Sequence, residues 1–230
     1  MVRTIGSAGL MLLVGVGVAA AQAPGLPVIN SGVARGFTLA TMAGFGNAAA
    51  GSGTALGVSG TAGFRRIAVG GFVSRLEGST LDEGSFLTAG GHLTMKVAGG
   101  PLVPVAVNLQ LGAGYYAPGY QPAGVATKTW RAPIGLGISW TIAQPVVALK
   151  PWIAPRADLR RVTGPDPLAD PVPGGPIPTL TSTETDFGLS GGIAFGFLNG
   201  LGIDVAFDRV FGGMGSKPTT VGLGVSFNFR

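Results

Sequence analysis

The chain contains no cysteine and one histidine in 230 residues, and Asp, Glu, Lys and Arg together make up only 11% of it. Without thiols there is no disulfide framework, no thiolate zinc or iron–sulfur site and no lipidated N-terminal cysteine. His92 has no acidic neighbour in sequence, so no His/carboxylate metal cluster is expected. Beyond the first two dozen residues there is no apolar run of about 18 residues, which argues against a membrane-spanning helix. The net charge of +5 is dispersed, with no basic cluster interleaved with aromatics, and this speaks against a nucleic-acid partner. Nothing in the composition calls for a cofactor.

What the chain does have is apolar content in short alternating segments. Hydrophobic residues make up 46% and the mean hydropathy is +0.47. Residues 1–21 read as a cleaved signal peptide: Arg3 supplies the positive start, Leu10 to Val18 the apolar stretch, and Ala19, Ala20 and Ala21 the small residues before the cut. Residues 22–33 are expected to form a short periplasmic segment, and 34–230 a single domain. The last strand sets the type. Val221, Leu223, Val225, Phe227 and Phe229 fall on one face, Gly222, Gly224, Ser226 and Asn228 on the other. A large apolar face opposite a small polar one is what a strand needs between lipid and a narrow lumen. A soluble β-sandwich would instead turn its apolar face inward and cover the outside with polar side chains, not glycine and alanine.

Ten segments carry this period: 35–45, 54–64, 66–76, 86–97, 102–115, 129–142, 146–162, 185–198, 201–211 and 221–229. The segment 66–76 is the least clear, with apolar residues on both faces. Connections alternate long and short along the chain, and Asn199–Gly200 is a strong two-residue hairpin signal. Short periplasmic turns alternating with longer outer loops predict an all-β, closed, antiparallel up-and-down transmembrane β-barrel of ten strands, with eight or twelve as alternatives, and both termini in the periplasm. Aromatics fall in two belts a strand apart: Phe64, Trp140 and Phe197 near the short turns, Trp130 and Phe187 near the long loops.

The chain resembles the small bacterial outer-membrane β-barrel proteins over 33–230. Gly224, Phe227 and Phe229 match the spacing of the C-terminal signal read by the barrel-assembly machinery, although Gly222 stands at a usually polar position and Arg230 follows the last aromatic. The resemblance implies the bacterial outer membrane as location. Its partners would be outer-membrane lipid, lipopolysaccharide and the assembly machinery, and the state monomeric. No subfamily is indicated.

By strand parity, Arg131, Arg156, Asp158, Arg160, Asp186 and Asp208 point inward in the outer half of the barrel, with Lys96, Lys150 and Asp204 deeper. Interleaved signs can neutralise one another in a narrow lumen, giving a salt-bridged filling. The functional alternative is a slightly basic constriction in a narrow anion-favouring channel. Ten strands lie nearer the side-chain-filled barrel than the aqueous one. A third alternative is a hydrolase using His92. That residue has Thr94 beside it on the same face but no acid, which falls short of a triad, so no catalytic residue is assigned. The proline-rich stretch from Thr163 to Glu184 is expected as a stiff surface loop. Arg209 falls on the lipid face near the outer end, as an interfacial snorkel within reach of lipopolysaccharide phosphates.

Overall fold

The structure, a computed structural model, describes residues 23–50, 52–78, 85–99, 103–118, 127–165, 178–212 and 217–229. The expected leader 1–21, most of the proline-rich stretch and Arg230 lie outside them. Ten staves form a closed antiparallel barrel. They are β1 (Gly36–Gly46), β2 (Gly53–Phe64), β3 (Ile67–Gly78), β4 (Ser85–Ala98), β5 (Val105–Pro118), β6 (Lys128–Trp140), β7 (Val147–Pro165), β8 (Thr179–Phe197), β9 (Leu201–Phe211) and β10 (Thr219–Phe229). Ile142–Ala143 continues the β6 stave past Thr141 and pairs with the start of β7. Consecutive staves pair throughout, and β1 closes on β10 from Phe37 opposite Phe229 to Gly46 opposite Thr220.

The outer face is apolar because alternate residues point there. Leu39, Leu56, Val69, Leu87, Ile138, Val205 and Leu223 are all exposed, which in water would be an untenable surface but in lipid is the required one. Trp130, Trp140, Phe64 and Phe187 are exposed at the two ends of this band and Phe197 is half-buried. Tyr115 packs on Trp130 at 4.9 Å between ring centroids, and Phe187 on Phe211 at 6.1 Å. Outward-facing Phe227 and Phe229 stack edge to face at 4.9 Å, whereas Gly224 faces inward. Arg209 lays its guanidinium over Phe211, 5.3 Å from the ring centre.

Several boundaries differ from the sequence reading, the largest shifts falling on β5, β7 and β8. The β7–β8 hairpin continues to Pro165 and resumes at Thr179, so much of the expected loop from Thr163 to Glu184 is strand. Threonines dominate there, and Thr163 and Thr181 share a hydroxyl hydrogen bond of 3.0 Å. Beyond the lipid nothing demands an apolar outer face, so the pairing persists without the period that would announce it. In addition, β5 begins at Val105 rather than at residue 102.

The larger correction concerns residues before β1. The expected periplasmic segment 22–33 is, from Ala23 onward, inside the barrel. Ala23, Leu26, Val28, Ile29, Asn30, Ser31 and Ala34 are each no more than 3% exposed. Gly25 lies against Ala55 and Leu76 near the long-loop end, and Ala34 against Gly63 near the short turn at Arg65. The segment therefore runs down the lumen antiparallel to β1, and Ala23 stands at the opposite end from Phe229. Gly36 and Phe229 share the short-turn end, as an even number of staves requires; the chain before Gly36 does not stay there. Burying Leu26, Val28 and Ile29 contributes roughly 1.5–3 kcal/mol each relative to exposure in water.

The lumen wall is cut to fit. A Cβ at Gly63 would stand 1.7 Å from the Ala34 carbonyl oxygen, at Gly44 2.1 Å from that of Gly25, and at Gly137 2.4 Å from that of Asn30. The apolar inner residues of β3 have the same cause: Phe72 and Leu76 belong to the buried cluster around Leu26 and Ile29. At Gly222 a Cβ would meet the Pro27 ring at 2.7 Å. Gly222→Leu is therefore expected to destabilise the barrel by about 1–3 kcal/mol through overpacking, seen as a lower temperature for loss of the unboiled, fast-migrating gel band. Gly60→Ala, with its Cβ in ordinary contact with Phe37 at 3.5 Å, is expected to leave that temperature unchanged.

Candidate functional site

The lumen holds two polar zones. The upper one gathers side chains from four consecutive staves: Arg131 on β6, Arg156 and Asp158 on β7, Ser190 on β8 and Asp208 on β9. The register alone would set like charges opposite each other, since Arg131 faces Arg160 and Asp158 faces Asp186. Like charges directly opposite are destabilising, and contacts of other kinds relieve the conflict. Arg131 reaches diagonally to Asp158, Arg156 bonds Asp158 along its own stave and Asp208 across β8, and Arg160 pairs with Glu184 directly opposite it. Arg156 donates through both Nη atoms to Asp208, at 2.5 and 3.0 Å, and through Nε to Asp158 Oδ2 at 3.0 Å. Arg131 Nη2 donates to the same Asp158 oxygen at 2.7 Å. Ser190 Oγ accepts from Arg156 at 2.6 Å and donates to Asp208 at 3.2 Å.

This cluster is almost dry. The side chains of Arg156 and Asp158 are 1% and 2% exposed. Room for the guanidinium comes from Gly188 opposite, where a Cβ would stand 2.6 Å from Arg156 Cζ. Fork geometry with both Nη atoms on one carboxylate is what a buried pair needs to offset desolvation. Of the other charges assigned to the outer half, Arg160 pairs at the rim with Glu184, a residue that sequence reasoning left in the loop. Asp186 forms no ion pair among the described residues and sets its Oδ1 against Gly212. Between this rim and the N-terminal segment lies a cavity of about 210 Å³, lined on one side by Arg131, Asp158, Arg160, Asp186 and Asp208 and on the other by residues 23–26.

The lower zone does not close into a network. Lys150 and Asp204 flank Ala194 from its two neighbouring staves and make no ion pair within 4 Å among the described residues. Both carboxylate oxygens of Asp204, both amide atoms of Asn30 and of Asn108, and Ser139 Oγ are buried without a protein partner. Lys150 Nζ rests beside Gly32, 3.0 Å from where a Cβ would be. Lys96 lies opposite Asn108 and is half-buried. One wall side chain grips the segment's backbone, with Gln110 Nε2 donating to the Ile29 carbonyl at 3.2 Å. His92 is buried over Gly70, and its Nδ1 has no partner. Among the described residues no group of three or more His, Cys, Asp or Glu is placed to hold a metal.

Sequence parity assigned the nine charges to the inner face, but it did not separate the four of the buried cluster from Arg160, which pairs at the rim, and from the other four. It also missed Trp152, which points into the lumen at 5% exposure, and the N-terminal segment. The available signal was the misfit of Phe72, Leu76 and Met42 on an inner face that should be small or polar.

No protein-family model matches the sequence, and no curated protein matches it. Solved structures similar to this chain include Neisserial surface protein A, at 14% identity and a TM-score of 0.38, covering 84% of this chain and 97% of that one. Ail, the attachment invasion locus protein of Yersinia pestis, is 12% identical with a TM-score of 0.39, covering 85% and 100%. The transport unit of the autotransporter AIDA-I from Escherichia coli is 14% identical with a TM-score of 0.42, covering 84% and 89%.

Asp158→Ala would leave both Arg156 and Arg131 without their shared carboxylate in a dry lumen. It is expected to cost about 3–5 kcal/mol, measured as a shift in the urea midpoint of the detergent-folded barrel. Glu77→Ala breaks a pair whose side chains are 61% and 66% exposed and is expected to cost under about 1 kcal/mol.

Proposed function

We propose that this chain is an integral protein of a bacterial outer membrane, structural or surface-interacting in role, whose lumen is closed to solutes at rest. One observation carries the reading: residues 23–34 fill the barrel interior, and the ion cluster on β6 to β9 occupies the space beside them. A continuous apolar outer band with aromatics at both ends supports residence in lipid. The protruding β7–β8 hairpin and the long connections at the same end supply the surface available for interaction. Arg209, held over Phe211, sits where lipopolysaccharide phosphates would meet it.

The hydrolase reading gains nothing from His92. A catalytic imidazole is oriented by a bond to its second nitrogen, and here Nδ1 has none. His92→Ala is expected to leave any activity of the purified barrel unchanged.

The purified wild-type barrel in planar bilayers is expected to give no reproducible current steps. Steps whose ion selectivity reverses in Arg131→Glu would replace the closed-lumen reading with that of a narrow diffusion channel.

A further inference from the structure

We propose that the lumen is a binding site for one uncharged peptide segment, filled here by the chain's own residues 23–34, and that the space behind it is a narrow, anion-leaning pore when the seat is empty. The inference rests on the closed-lumen reading above and extends it.

Three features define the seat. Its shape is complementary to backbone as well as side chains: Gly44, Gly63 and Gly137 each leave room for a carbonyl of the segment, and Leu26 reaches to Gly57 with 2.7 Å to the absent Cβ. Its upper wall is apolar, with Met42, Ala55, Phe72 and Leu76 buried against the segment. Those residues would be misplaced on the wall of a plain water-filled pore. Finally, the seat and the ring are separate constructions. Stave pairing closes from β1 to β10 without any residue before Gly36. The segment itself, Ala-Pro-Gly-Leu-Pro-Val-Ile-Asn-Ser-Gly-Val-Ala, carries no charge. Apolar contact, shape and the Gln110 bond to the Ile29 carbonyl hold it, and those can act equally on a peptide supplied from outside.

The lower wall shows what lies behind. Asn108 lies beside Gly32 of the segment, and its amide atoms, like Asp204 and Ser139 Oγ in the same stretch, are buried without a protein partner. Such groups are costly against apolar or non-bonding neighbours, and a hydrated path would satisfy them. With Lys96 and Lys150 against Asp204, that stretch carries a net positive charge, which favours anions there. The upper cluster of Arg131, Arg156, Asp158 and Asp208 sums to zero and Arg160 and Glu184 cancel, which leaves Asp186 as the one opposing charge above among the described residues.

The test is a barrel lacking residues 23–34, refolded and checked for heat-modifiable migration, then recorded in planar bilayers beside the wild type. Current steps absent from the wild type are expected, with a reversal potential shifted toward anions. A synthetic peptide of residues 23–34 added to one side is expected to abolish them. The same peptide carrying Leu26→Asp is expected to lose at least tenfold in blocking potency. A silent wild type together with a silent, folded deletion variant overturns the pore, and steps that the peptide leaves untouched overturn the seat. Equal steps in wild type and variant overturn the closed-lumen reading itself. Should the deletion variant fail to fold, full-length Leu26→Asp serves instead: bursts of conductance are expected, and a quiet trace from folded protein overturns the proposal.

Discussion

In hydrocarbon no backbone N–H or carbonyl can be left to solvent, so a sheet that crosses it must have no edge. Everything else in this protein follows from that closure, made by β1 against β10. Closing ten staves creates an inner volume that is too small for an open aqueous channel of porin width and too large to leave empty. The chain fills it twice over, with large inward side chains on β6 to β9 and with its own N-terminal segment, seated against β1 to β3, β5, β6 and β10.

The glycine content, 42 residues of 230, takes on a specific meaning in this light. A chain segment occupies more width than most single layers of side chains, so the wall must retreat wherever its carbonyls pass. Gly44, Gly63 and Gly137 sit at those passages, and Gly188 does the same for a guanidinium. Glycine weakens a strand by losing backbone entropy and side-chain packing. Here the loss is offset by the apolar contacts it admits.

Much of the barrel was legible because lipid imposes a period of two that no other demand disturbs. Ten staves, their order and the inner placement of Arg156, Asp158 and Asp208 all follow from parity. Two parts were not legible, for one reason. Thr179 to Glu184 on the protruding hairpin lies above the lipid, and residues 23–34 lie inside the ring, so neither segment has one face in hydrocarbon. The ambiguity of 66–76 was real information: Phe72 and Leu76 are apolar on the inner face because another piece of chain packs there. Pairing among the charges was hidden too. Register sets Arg131 opposite Arg160 and Asp158 opposite Asp186 but Arg160 opposite Glu184, and side-chain reach along a stave, along a diagonal and over Gly188 decides which ions meet in the central cluster.

The two fillings also depend on each other. An uncharged segment in the upper lumen confines the space beside the ion cluster to a cavity of about 210 Å³, which lowers the local dielectric and strengthens the bonds turned away from it. The same confinement makes any unpaired ion there more costly. The cluster must therefore be self-neutral before the segment can sit beside it. Arg156 meets this condition by using Nε for Asp158 and both Nη atoms for Asp208. The lower lumen has no such closure, with Asp204 and Lys150 standing apart on either side of Ala194. The apolar wall of Met42, Ala55, Phe72 and Leu76 packs with Leu26 and Ile29, while Asn30, Asn108, Ser139 and Asp204 are left unmet below, so the segment is held chiefly from above. Once Leu26 and Pro27 leave the upper wall, the burial of Val28 and Ile29 and the Gln110 bond to the Ile29 carbonyl are what still hold it.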